Sequence, residues 1–290
     1  MIKKPQNVAL VLSGGGSRGM AHIGVIEEIL KHKHKITSVA GTSIGSVVGG
    51  VYAAGKLGEY KNWVSGLGKM DIFRLMDFAI TKSGFIKGEK IFSELEKMLG
   101  PVNIEDLAIP FATVAVAINL HKEIVFTSGP LRKAVRASVA VPTILTPVQY
   151  KGMELVDGGV LNPLPLNLVK RNKKDLLIAV DLNADIKYTK PRNVRIAKKE
   201  QSNYLALWEQ VNKRWTHFFS KEKNPKAGYF DLLTKSIYAM QARLTETSIK
   251  KYKPDILVQI SRDSCDLFEF HRATEMIEYG RRQARKALLQ

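Results

Sequence analysis

The chain has 290 residues, 45% of them apolar and 25% charged, a composition that suits a globular protein and excludes a disordered or collagen-like one. Lys and Arg number 45 against 27 Asp and Glu, a formal net charge of +18, and the single Cys265 excludes an intrachain disulfide and fits a reducing compartment. The length suits one α/β domain over 1–290, carrying an insertion, better than two independent domains.

In chain order, residues 7–12 form an apolar strand that runs into the glycine loop Gly14-Gly15-Gly16-Ser17-Arg18-Gly19. The apolar run is too short for the core of a secretion signal, which points to a soluble, cytoplasmic chain. A helix is expected over 20–33 and a strand over 36–40, which ends in Gly41-Thr42-Ser43-Ile44-Gly45 and opens a helix of small residues over 44–55. Residues 36–55 carry no charge, but five glycines with serine and threonine make them too polar to span a membrane. Buried strand, tight turn and helix explain them. A helix over 89–99 and strands over 111–119 and 123–127 follow. The helix over 130–138 is expected to carry Arg132, Lys133 and Arg136 on one exposed face. A β-like run then enters Leu155-Val156-Asp157-Gly158-Gly159-Val160. Asn162-Pro163-Leu164-Pro165 is expected to open a helix ending near Arg171. Strands over 176–182 and 255–260 precede a surface helix over 267–289. Continuous apolar runs such as FATVAVAI and LLIAV predict strands covered on both faces, in a mainly parallel sheet.

Two glycine-rich segments carry the chemistry. Gly14, Gly16 and Gly19 fit the outline of a dinucleotide-binding turn, but such a turn needs an acidic residue about 20 positions on. No Asp or Glu occurs between Glu28 and Glu59. The same loop can instead present backbone N–H groups to a developing oxyanion. Gly41 and Gly45 flank Ser43 with the spacing of a strained strand-to-helix elbow, where side chains would collide with strand or helix. The helix dipole beneath Ser43 favours negative charge there. Asp157, in an Asp-Gly-Gly turn, is a candidate proton acceptor; the same dipeptide is also a common plain turn. The six histidines, His22, His32, His34, His121, His217 and His271, stand in no recognisable loop after a strand. His217 or His271 after Asp157 in chain order keeps a Ser-His-Asp arrangement open.

The glycine loop, the Ser43 elbow and Asp157-Gly158-Gly159, in this order, resemble the patatin-like phospholipases, specifically their short bacterial members. Residues 137–147, ASVAVPTILTP, resemble the family's segment before its aspartate, with Leu145 where an aromatic residue is frequent. The resemblance covers about 6–185. It implies a three-layer α/β/α core, a serine lipid acyl hydrolase without metal or cofactor, Ser43 as nucleophile, Asp157 as base and residues 14–19 as the oxyanion loop. Arg18 is expected to shape that loop through a hydrogen bond, with contact to a lipid phosphate as the alternative. The implied substrate is a phospholipid or other acyl ester. A broad carboxylesterase, a thioesterase and a lipid-binding regulator without turnover are the alternatives.

The basic excess concentrates in part. Residues 187–226 hold 11 Lys or Arg against 3 Asp or Glu, and Tyr204, Trp208, Val211, Trp215, Phe218 and Phe219 recur at helical spacing. This predicts a basic, helical lid or insertion over 187–253, with an anionic membrane surface as candidate partner. Within it, 229–252 is expected to be helical, with Phe230, Leu233, Ile237, Met240 and Leu244 on one side. The Lys and Arg residues follow no nucleic-acid-binding motif, so nucleic acid is not expected as a partner.

Overall fold

The computed structural model describes residues 5–76, 88–142, 144–191 and 229–290. In chain order the elements are β1 (Asn7–Leu12), α1 (Met20–Lys31), β2 (Lys35–Gly41), α2 (Ile44–Ala53), α3 (Leu57–Gly66), α4 (Lys69–Leu75), α5 (Glu89–Leu99), β3 (Phe111–Ala117), β4 (Lys122–Phe126), α6 (Leu131–Ser138), β5 (Val148–Tyr150), β6 (Met153–Asp157), β7 (Leu176–Ala184), α7 (Tyr229–Tyr252), β8 (Ile256–Ser261) and α8 (Ala273–Leu288).

The strands form one mixed sheet of order β5-β6-β3-β2-β1-β7-β8, with β4 pairing β3. β3, β2, β1, β7 and β8 run parallel; β4, β5 and β6 supply the antiparallel pairings. Successive side chains of a strand point to opposite faces, and β1 divides its residues that way. Val8, Leu10 and Leu12 join the main core with residues of α1, α2 and α8. Ala9 and Val11 join a smaller core with Leu164, Leu166, Leu177 and Ala179, which Ile249 and Tyr252 of α7 partly cover. Helices therefore flank both faces of the sheet.

α1 and α8 pack so closely that a Cβ on Gly24 would stand 1.9 Å from the Ile277 carbonyl oxygen, and one on Gly280 2.0 Å from that of Ala21. Outside this backbone contact, Arg285 Nε donates to Glu28 Oε1 at 2.8 Å. The terminal helix is thus half-buried rather than a surface helix, and it starts at Ala273, after a 3₁₀ turn over Phe270–Arg272.

Other expectations need correction. Residues 164–171 form turns, not a helix; two prolines in four residues leave Pro163 and Pro165 without N–H donors for one. Arg136 is not on an exposed face: its guanidinium donates to the Thr146 carbonyl (3.0 Å) and hydroxyl (2.9 Å) and lies over the Phe92 ring. α3 and α4, which the sequence reading left unassigned, lie between α2 and α5. Residues 229–252 are helical as expected, and Met240 (59% exposed), Leu244 and Leu232 are exposed on it. The aromatic stripe over 204–219 lies outside the described residues.

Candidate active site

The site is built by a junction in the sheet. Thr113 of β3 pairs with Gly41 of β2 and with Phe126 of β4, so these two strands take opposite edges of β3. Ala115 pairs with Ile124 of β4 and with Asp157 of β6. β6 therefore lies on the same edge as β2. One runs parallel to β3 and the other antiparallel, so their C-terminal ends point at each other, two β3 residues apart. Ser43 follows one end and Asp157 closes the other.

The elbow at Ser43 is tight. Ser43 has φ 55° and ψ −125°, a region that non-glycine residues rarely occupy. A Cβ on Gly41 would lie 2.3 Å from the Gly45 carbonyl oxygen, and one on Gly45 would lie 2.3 Å from that of Leu12. The Ser43 N–H donates to the Ser138 hydroxyl (3.0 Å) at the end of α6. Thr42 donates its hydroxyl to the Asn162 carbonyl (2.8 Å) and its N–H to the Leu12 carbonyl (3.1 Å). Ile44 opens α2, whose first turn sits beneath Ser43.

The glycine loop covers the serine: a Cβ on Gly14 would stand 3.3 Å from Ser43 Cβ. The Gly14 N–H donates to the Pro163 carbonyl (3.1 Å) and that of Ser17 to the Leu267 carbonyl (3.0 Å). Among the described residues, the amides of Gly15, Gly16 and Ile44 donate no hydrogen bond, so they are the ones left for a ligand. Arg18 is buried and donates to the carbonyls of Arg262 (3.0 Å) and Cys265 (3.2 Å) and to Asn183 Oδ1 (3.0 Å). Asn183 in turn donates to the Gly14 carbonyl (2.9 Å). Arg18 and Asn183 thus tie both ends of the loop to β7 and to the chain after β8. Gly19 packs on Ile44, leaving no room for a side chain.

Asp157 is buried, and its N–H donates to the Ala140 carbonyl (2.9 Å). Its Oδ1 accepts the Gly159 N–H at 2.6 Å, and Oδ2 has no hydrogen-bond partner. Burial pushes the carboxyl up to about 6; the nearby Ser43 hydroxyl and the Gly159 amide pull the other way. The Ser43 hydroxyl is thus close enough to favour the carboxylate, without a hydrogen bond of standard geometry. Gly158 lies against the Val114 carbonyl, where a Cβ would come within 2.2 Å.

Ser43 also lines an apolar pocket of about 160 Å³. Its walls come mainly from α3, α4 and α5, including Trp63, Ile72, Phe92 and Leu95, and from Leu145 and Phe268. Among the described residues no histidine is hydrogen-bonded to Ser43 or Asp157. His22, wholly buried against the Ser13 carbonyl (3.0 Å), is pushed down to about 4 by burial and stays neutral. His217 lies outside the described residues. Cys265 is buried beside the Ser17 hydroxyl, its thiol pushed up to about 12 by burial, and offers no thiolate. Among the described residues no group of three or more His, Cys, Asp or Glu side chains could hold a metal ion, and no helix is long and apolar enough to cross a membrane. The sequence reading missed Ser138, Asn162, Pro163 and Asn183, all of which hold the loops in place. Ser138 lay within the recognised 137–147 segment; the carbonyls of Asn162 and Pro163 have no side-chain signal.

Similarity to known proteins agrees with this arrangement. A family model described as "Patatin-like phospholipase" matches residues 10–170, the stretch that holds the glycine loop, the elbow and the aspartate turn. An uncharacterised NTE family protein of Mycobacterium tuberculosis is 33% identical, over 97% of this chain and 91% of its own length. A lysophospholipase NTE1 of Candida albicans is 31% identical over 75% of this chain, which spans only 15% of that longer protein. The crystal structure of VipD from Legionella pneumophila shares the fold, with a TM-score of 0.50 at 13% identity, covering 98% of this chain and 67% of that one. The chain that makes a serine elbow, a glycine loop and an Asp-Gly-Gly turn converge at one sheet junction belongs to the patatin-like phospholipase family.

Proposed function

We propose that the protein is a serine lipid acyl hydrolase of the phospholipase A or lysophospholipase type, working through Ser43 and Asp157. The observation that carries this reading is the junction of β2 and β6 on one edge of β3, which sets an alcohol and a buried carboxyl side by side at the end of an apolar pocket. The name of the Candida albicans relative supports the lysophospholipid class. So does the shape of the site: one apolar pocket lined by Ser43 suits one acyl chain.

In the proposed reaction Asp157 accepts the Ser43 proton as Oγ attacks the acyl carbonyl. The oxyanion faces the free amides of Gly15 and Gly16, and each such donor is worth about 10²–10³ in rate. Asp157 passes its proton to the departing alcohol, leaving an acyl-serine. It then takes a proton from water, whose oxygen attacks the acyl carbon; fatty acid leaves and Ser43 recovers its proton. A hydrogen bond between the two residues that is loose without ligand is normal for such a pair and tightens around substrate. The outward face of α7, with Leu232, Met240, Arg243 and Lys250, supports contact with an anionic lipid surface.

The test is a panel of lysophospholipids, diacyl phospholipids and simple esters, with released acids measured by mass spectrometry. Wild type is expected to prefer lysophospholipids, and Ser43→Ala and Asp157→Asn to lose about 10³-fold or more while remaining folded. Full activity in folded Ser43→Ala would end this reading.

A further inference from the structure

The aspartate turn is held from outside by α7, the helix that follows the basic segment. Gln241 Nε2 donates to the Gly159 carbonyl at 3.0 Å. No other bond to that carbonyl is found among the described residues, whereas the Gly158 carbonyl receives both Leu161 N–H (3.2 Å) and Asn162 N–H (2.8 Å). Gly159 is the residue whose N–H holds Asp157 Oδ1. A second observation is independent of the bond. A Cβ on Gly159 would stand 3.0 Å from Gln241 Nε2 and 2.9 Å from Asp157 Oδ1, so the Gln241 amide occupies space that the missing side chain leaves. Glycine at 159 serves a contact on both sides: the carboxyl and the glutamine.

Neighbouring residues of the same helix face give Gln241 a fixed base. Ser248 donates to the Leu164 carbonyl (3.1 Å), Thr245 is buried, and Ile249 and Tyr252 pack on the second core. One turn before Gln241, the Tyr238 hydroxyl lies beside the Arg18 guanidinium of the glycine loop. A single helix therefore touches both loops that meet at Ser43.

We infer that Gln241 is a positioning residue that pins Gly159 and so fixes the Asp157 carboxyl against Ser43. The inference rests on Asp157 acting as the base. Gln241 touches neither substrate nor the reacting atoms in this scheme. Its loss frees the carbonyl of the Gly159–Val160 peptide; Gly159, with no side chain to restrict φ and ψ, can then turn about its Cα and draw its own N–H away from Oδ1. Misplacement of a reacting group by about 1 Å can cost about 10²-fold, so the effect falls on turnover rather than on binding.

The experiment uses the full chain with a lysophospholipid as substrate and a fluorophosphonate to titrate reactive serines. Gln241→Met keeps the length and removes the donor. It is expected to lower kcat per titrated site about 10-fold or more, with KM unchanged. Thr247→Ala removes an exposed side-chain bond within the same helix, to the Arg243 carbonyl, and is expected to keep wild-type kcat per titrated site. Should Gln241→Met not fold, Gln241→Glu, which sets an acceptor where the donor stood, must show the same split. Wild-type kcat per titrated site in the folded Gln241 variant, or an equal loss in Thr247→Ala, overturns the inference. Asp157→Asn, run alongside, separates the two levels: activity there removes the base reading itself, whereas a dead Asp157→Asn beside a normal Gln241 variant removes only the role of Gln241.

Discussion

Asp157 carries a cost that its proposed role explains. Burial raises its carboxyl from 3.8 to about 6, so above that pH the folded protein holds a charge that it would hold more easily unfolded. For a carboxyl raised in the fold, the contribution to stability is full below pH 3.8 and is lost as pH climbs through 6. Asp157→Asn is therefore expected to raise the melting temperature at pH 8, by an amount equivalent to at most about 3 kcal/mol, and to give no gain near pH 3.5. Thermal melts at the two pH values check this. The same shift predicts an acidic limb near pH 6 in kcat/KM, because only the carboxylate can accept the Ser43 proton. Ser43 carries a comparable burden in its backbone, at φ 55°. Ser43→Gly is expected to abolish turnover yet stabilise the fold by about 1–3 kcal/mol, read as a higher denaturation midpoint. Stability gains in both variants would support the proposed catalytic role of the pair.

At the scale of elements, the contact of α1 with α8 anchors the end of the chain. Gly24 and Gly280 let the two backbones touch, and a Cβ on Gly24 would meet backbone rather than a movable side chain. Gly24→Ala is expected to destabilise by about 1–3 kcal/mol, which for a chain of this size lowers the melting temperature by several degrees. These glycines look unremarkable in the sequence: each sits inside a helical pattern and signals only a weak helix former. The elbow glycines were legible because their spacing around a serine has one stereochemical explanation. Arg18 shows the intermediate case. Its place in the glycine loop was plain, and its contacts with Arg262, Cys265 and Asn183 match the expected structural role. The identity of those partners, more than 160 residues away, could not be read locally.

For the whole molecule, the net charge of +18 and the outward-facing Leu232, Met240 and Leu244 of α7 set up a surface property. Sedimentation with liposomes is expected to rise with the fraction of anionic lipid and to fall as salt shortens the screening length. Equal binding to neutral and anionic vesicles would remove the electrostatic part of that expectation. Helices flank both faces of the sheet, as the uninterrupted apolar strands required. The second face, however, is closed by turns at 164–169 and by α7 rather than by the helix expected before Arg171.

The sequence by itself determined every strand but the short β5, with the elbow, the glycine loop and the aspartate turn, because each follows from local rules: uninterrupted apolar runs, glycine where a Cβ would strike backbone, and Asp-Gly at a turn. Only the tertiary structure decided that β2 and β6 meet end to end on one edge of β3, and that Gln241 reaches Gly159 from 82 positions away. Strand pairing and distant side-chain contacts depend on which surfaces the fold brings together, and neighbouring residues in the chain carry no record of that choice.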